Sequence, residues 1–238
     1  MNTKAVSFIV LGGVLGLAHA SYASPASTEY VNRHVSEAVY ELKSYIKNEL
    51  STLVTQVNNQ RIAMHRIGEL YQGGVIFYVD ESQIHGLIAA KVDAVNGEGL
   101  QWQNGISGEK MVNARANGIH AGEHNTRLII SQQTVDDQNG VFAALAASNY
   151  SVLEDGVTLC KAVVNPSHRC YGGWYLPSIY ELDLMRRNLS SPYSLAAAPY
   201  WSSTESSVTE SWAEEVAGSP MLLDKSWSNA RVRAIRTF

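Results

Sequence analysis

Several groups of residues have types and spacings that could do chemistry. His120-Ala121-Gly122-Glu123-His124 carries the H-x-x-E-H letters of an inverted zinc-peptidase motif. Such a site needs both imidazoles on one face of a stable helix, with the carboxylate nearby as general base. Gly118 and Gly122 bracket and interrupt the segment, and glycine is among the poorest residues inside a helix. The expectation is therefore a glycine-rich turn that happens to carry histidines, with no metal site. Zinc-dependent hydrolysis at His120, Glu123 and His124 is the least favoured function.

Ser107-Gly108-Glu109-Lys110 has the letters S-x-x-K, which work only when a helical turn returns the lysine to the serine. Gly105 and Gly108 oppose that helix, and the companion S-D-N and K-T-G boxes are missing. No G-x-S-x-G elbow or Gly-rich phosphate loop is present. Cys160 or Cys170 with His168 would make a thiolate dyad, but a close cysteine pair in an exported chain is expected to be a disulfide. Glu214-Glu215 and Asp136-Asp137 are neighbours in sequence, and neighbours on a strand point to opposite faces. No convincing catalytic set emerges, so the expectation is a protein that is not an enzyme and carries no cofactor.

Lys225-Ser226-Trp227-Ser228-Asn229-Ala230-Arg231-Val232-Arg233-Ala234-Ile235-Arg236 is the basic concentration. On a strand Arg231 and Arg233 share a face, spaced to hold sulfate or carboxylate groups through paired hydrogen bonds. The structural alternative pairs them with Glu205, Glu210, Glu214 and Glu215. Tyr171, Trp174, Tyr175, Tyr200, Trp201, Trp212 and Trp227 are dense in the same stretch. Such rings serve sugar sites, and serve cores more often. Arg231, Arg233, Lys225, Trp227 and Trp201 are the candidate ligand-binding residues.

These residues must be positioned by a chain of 238 residues with formal net charge −4. From Ile67 onward it holds 12 Lys/Arg against 18 Asp/Glu, a net of −6, the opposite of a nucleic-acid binder. At the N-terminus Lys4, the uncharged apolar run Ala5 to Leu17, and the small-x-small sites ending at Ala20 and Ala23 read as a secretory signal over 1–23. The run is too short to span a bilayer comfortably, so the mature form is expected to be secreted or held at the cell surface without a membrane span.

A spacer, 24–27, leads to 28–66, which contains neither Gly nor Pro and reads as one long helix with Thr28 or Ser27 as N-cap. Val35, Val39, Leu42, Ile46, Leu50, Leu53 and Val57 form a narrow stripe, with a repeat closer to eleven than to seven. The stripe must pack on something: its own head, or other copies of itself. Its narrowness favours a self-associating coiled coil, with a trimer as the expected state.

Residues 67–238 read as a β-rich α+β head. Gly73–Val79 and Leu87–Ala90 are a predicted hairpin, with further strands at Tyr200–Ser203, Trp212–Val216 and Arg231–Ile235. Two helices are predicted: Val141–Ser148, with Asp136, Asp137 or Asn139 as caps, and Tyr180–Leu189, with Ser178 and Glu181 as a capping box.

Certain segments in this head resemble a known family. They are the Gly73–Ala90 opening, Gly118–Ile130 with its A-G-x-x-N-T-x-x-I pattern, Gly173-Trp174-Tyr175-Leu176-Pro177-Ser178 with Glu181-Leu182, Tyr200-Trp201-Ser202-Ser203-Thr204-Glu205, and Val232–Arg236. Together they resemble the C-terminal domain family of the Legionella collagen-like adhesin across about Ile67 to Phe238. The resemblance implies a C-type-lectin-like or sulfatase-modifying-factor-like fold, displayed at a bacterial cell surface on an oligomeric stalk. It also implies adhesion, with glycosaminoglycans, other glycans or matrix proteins as partners. The boxes around Pro177 and Trp201 would then largely define the fold. The stalk here is helical, with no Gly-X-Y repeat, and calcium-lectin boxes are missing. A structural component of the cell envelope is the alternative function.

Overall fold

The computed structural model describes residues 26–62, 64–160 and 168–238. The expected signal peptide lies outside the described residues. The chain divides into two units, one ending at Ile62 and one running from Ala63 to Phe238. No helix among the described residues is long and apolar enough to cross a membrane.

The first unit is helix α1, Ala26–Ile62. It begins before the expected caps, so Ser27 and Thr28 lie inside it. It also stops before Arg66. Met64–Arg66 are non-helical, and His65 is drawn into the second unit: its N–H donates to Gln83 O at 2.7 Å, and its ring meets Tyr71 and Phe238. The stripe is open: Val35 and Val39 are 44% exposed and Leu50 is 60% exposed.

The second unit is mixed α+β, with antiparallel sheets. β1 (Leu70–Tyr71), β2 (Gly74–Val79), β3 (Gly86–Ala90) and β9 (Ile235–Thr237) form one sheet in that order. The expected hairpin is β2–β3, paired Gly74↔Ala90 to Val79↔Gly86 with a bulge between Ile76 and Tyr78. Both faces of this hairpin are buried. Ile76, Ile88 and Ala90 join a core with Trp102, Ile129, Phe142, Trp174 and Trp201. Val75, Phe77, Leu87 and Ala89 pack on the other side with Leu182 and Met185 of a helix and with Leu189 just after it. A period of two therefore divides one hairpin between two cores.

The remaining strands are β4 (Val152–Leu153) with β5 (Cys170–Tyr171), and β6 (Pro199–Glu205), β7 (Glu210–Glu215) and β8 (Pro220–Asp224) in sequential antiparallel order. Cys160 and Cys170 are joined by a disulfide across a Cα–Cα distance of 5.9 Å. The strand expected at Arg231–Ile235 is corrected. Arg231 makes only an isolated bridge to Tyr200, and regular pairing starts at Ile235.

Three α-helices occur in this unit among the described residues, where two were expected. α2 (Ala121–Gln133) is the addition, and it replaces the glycine-rich turn. α3 (Ala143–Asn149) starts from Phe142 without a side-chain cap. The Ala143 N–H donates instead to Gln101 O at 2.9 Å, while Asp136 pairs with Lys110. α4 (Ile179–Asn188) has the expected capping box: Ser178 Oγ accepts from Glu181 N, and Glu181 accepts from Ser178 N at 2.8 Å.

Candidate functional site

Two arginines of the C-terminal segment, Arg231 and Arg233, meet at Asp93, just beyond β3. Arg231 Nη1 donates to Asp93 Oδ2 at 3.2 Å and Arg233 Nε to Oδ1 at 2.7 Å, and the Tyr200 hydroxyl adds a bond at 2.9 Å. Arg233 also holds Ala90 O and Tyr193 O, at 3.3 and 3.2 Å. The expected acids, Glu205, Glu210, Glu214 and Glu215, are not the partners. Two guanidiniums against one carboxylate leave positive charge over, and it reaches solvent through Arg231, whose side chain is 35% exposed.

Lys91 and Tyr193 lie at the same place. Lys91 Nζ donates to Asp155 O at 2.7 Å and sits 5.9 Å from the Tyr193 ring centroid. Beneath them the Tyr150 hydroxyl is buried with no hydrogen-bond partner. Burial pushes it up to about 12, with Arg233, Asp155 and Asp93 as its charged neighbours. Burial also raises the Tyr200 hydroxyl, helped by the Asp93 charge. The surface groups of this cluster therefore offer cationic donors and an aromatic ring, a set suited to holding an anionic or hydroxylated group.

The other candidate residues go elsewhere. Lys225 is fully buried: Nζ donates to Glu205 Oε1 at 2.6 Å, Val208 O at 2.9 Å and Lys110 O at 3.2 Å, and lies 4.7 Å from the Trp102 ring centroid. Burial lowers its ammonium and the Glu205 partner opposes that. Glu205 is complete as well, accepting from Val112 N at 2.8 Å and Asn113 N at 2.6 Å. Trp201 is buried with Nε1 bonded to Leu100 O at 2.7 Å, and Trp227 is half-buried against the core. The five residues do not form one exposed face. Asp93, Lys91, Tyr193 and Tyr150 were missed, because Asp93 lies 138 and 140 positions from its arginines and no local motif marks it.

In the H-x-x-E-H segment His120 is the N-cap of α2, with φ +66°, and lies outside the helix that contains His124. Both histidines are exposed, and Glu123 pairs with Arg127. Among the described residues no group of three or more His, Cys, Asp or Glu is placed to hold a metal ion. Ser107 and Lys110 have separate partners, Asn104 O and Asp136.

The segments around these residues converge. Glu181 accepts from His120 N at 2.7 Å and Gly122 N at 3.0 Å as well as from Ser178, so its carboxylate ties the start of α2 to the start of α4. Burial raises the carboxyl and those N–H bonds oppose the rise. A Cβ at Gly122 would fall 2.4 Å from Glu181 Oε2 and 2.6 Å from Leu176 O, which is why glycine stands there. Thr126 Oγ1 exchanges hydrogen bonds with the Leu176 backbone, at 3.0 and 3.3 Å, and Asn125 reaches Ser203 Oγ at 3.3 Å. Ser203 N donates to Pro177 O at 2.7 Å. The A-G-x-x-N-T, L-P-S-x-x-E-L and Y-W-S-S-T-E segments thus form one buried polar junction. The sequence matches no protein-family model and no curated protein.

Proposed function

We propose that this chain is an exported, surface-displayed binding protein of the adhesin type, with no catalytic role. The helix gathers copies, and each head offers a binding surface. The head is read as a C-type-lectin-like or sulfatase-modifying-factor-like domain of the Legionella collagen-like adhesin C-terminal family. Support for that comes from the three segments that meet at Glu181, Thr126 and Ser203. The carrying observation for display is the stripe on α1, apolar from Val35 to Val57 and open to solvent. Such a stripe is stable when something covers it.

The binding surface is assigned to Lys91, Tyr193 and Arg231 above Asp93. Its chemistry favours sulfated or carboxylated glycans, or acidic segments of matrix proteins. The acidic balance of the whole head narrows this to a local contact rather than a broad polyanion track. Arrays of glycans and matrix proteins probed with the mature full chain test the reading. Binding that falls at least tenfold in Lys91→Ala is expected. No binding across both arrays would remove the adhesin reading.

A further inference from the structure

The stripe on α1 repeats every eleven residues. Val31 and Leu42, Val35 and Ile46, Val39 and Leu50, Leu42 and Leu53, and Ile46 and Val57 are each eleven apart. An eleven-residue repeat corresponds to about 3.67 residues per turn, close to the ~3.6 of a straight helix. The stripe therefore stays on one side with only a slight right-handed drift. From Val35 to Val57 its members remain 44% to 60% exposed.

We infer that the stripe is covered by the same stripe of further copies of this chain, arranged parallel and in register. This rests on the oligomeric display proposed above and adds its geometry. The charges beside the stripe set the direction. Lys43 and Lys47 follow stripe residues Leu42 and Ile46 and so lie on one flank. Glu49 precedes Leu50 and lies on the other. In a parallel ring each helix turns one flank toward the opposite flank of its neighbour, which brings Lys43 and Lys47 to the side that carries Glu49. In an antiparallel pair like flanks meet, which sets the lysine flank of one helix against the lysine flank of the other. Within one helix Glu37 with Glu41, and Lys43 with Lys47, are like-charged pairs four apart, an arrangement that disfavours a lone helix. Partners from a neighbouring copy relieve it. Because the head follows Ile62 in the chain, parallel copies present their heads from one end.

Arg33, Ser44 and Thr55 test the arrangement: they are exposed, eleven apart and equivalent around the helix. Arg33→Cys, Ser44→Cys and Thr55→Cys are made singly in the mature full chain and spin-labelled with the native disulfide kept oxidised. Distances between copies and the mass in solution are then measured on the same samples. The expected result is an oligomer with the same label separation at all three positions. Separations at Arg33 and Thr55 that exceed the one at Ser44, as an axial offset of roughly 30 Å between equivalent sites requires, would show antiparallel helices and overturn the inference. Equal but long separations at all three would overturn the shared register. A monomer would overturn the bundle altogether. Array binding by that monomer would leave the binding reading standing, so the two failures are distinguishable.

Discussion

Replacing Glu205 with alanine removes the anion that faces a fully buried lysine. Lys225 would keep two carbonyl acceptors, Lys110 O and Val208 O, and the face of Trp102, but no counter-charge. Val112 N and Asn113 N would lose their acceptor at the same time. Removing one partner of a buried pair costs about 3–5 kcal/mol. In a head of this size that lowers Tm by roughly 10–15 °C. Lys225→Met is expected to cost less, because Glu205 retains both backbone donors. The pair Glu205→Ala with Lys225→Met is expected to lose less than the two single changes added together.

The pH dependence has a definite sign. Burial already lowers the ammonium of Lys225, and removing Glu205 lowers it further. Between the folded value and the ordinary lysine value the unfolded chain binds more protons, so stability rises with pH through that window. The penalty in Glu205→Ala should therefore shrink between pH 7 and pH 10. Thermal and urea unfolding of the full chain, followed by near-ultraviolet circular dichroism, reads all three variants. A Tm loss under about 3 °C for Glu205→Ala, or a penalty that grows with pH, would refute the buried-pair reasoning.

Four further substitutions test other parts of the head. Glu214 is buried, with Oε1 on Arg186 and Oε2 without a partner, and burial raises its carboxyl. A raised folded value contributes stability below the ordinary carboxyl range, and that is lost as pH rises through it. Glu214→Gln should therefore flatten the fall in urea midpoint between pH 5 and pH 7 without lowering stability at pH 7. Tyr150→Phe deletes a buried hydroxyl with no partner and should leave Tm unchanged or raised, whereas a loss above about 1 kcal/mol would mean that the hydroxyl has a partner. Gly122→Ala puts a Cβ against Glu181 and the Leu176 carbonyl and should cost about 1–3 kcal/mol, while Gly172→Ala, with nothing within 4 Å, should be near neutral by the same denaturation measurement.

Where the sequence carried local information, the elements were legible. The β2–β3 hairpin follows from two apolar runs around a polar loop, and α4 from Ser178 with Glu181. The helix α2 was hidden because Gly118 and Gly122 read as breakers. Gly118 precedes the helix, and Gly122 sits in its first turn because Glu181 and Leu176 occupy the space of a side chain. That reason lies about sixty residues away in the chain. The caps assigned to α3 failed similarly, since the Gln101 carbonyl does the work expected of an Asp or Asn. The tail was legible as a basic cluster but not as two separate sites. Lys225 belongs to Glu205 and Arg231 to Asp93, and only the folded β-sheets decide that division. The end of α1 shifted for a comparable reason: His65 bonds to Gln83 and packs on Phe238, so the head claims residues whose local pattern is helical.

The division of the charges bears on how strongly one head can bind. Lys225, Arg233 and Glu205 are buried and bonded within the head. What reaches solvent at the candidate site is a part of Arg231, Lys91 and the Tyr193 ring. A contact of that size holds a ligand weakly, because few groups are available to offset the entropy lost on association. Linking copies changes the outcome without adding any contact to the head. Once one head is engaged, the next binds at an effective concentration set by the linkage, and avidity rises by about 10²–10⁴. The gain exists only when the geometry lets several heads meet one surface together, and parallel helices provide it while antiparallel helices divide the heads between two ends. Under the proposed function, a small surface on the head and a charge-directed stripe on the helix act as two parts of one binding device. On that proposal, charges that oriented the helices the other way would remove the gain and leave each head with its own weak contact.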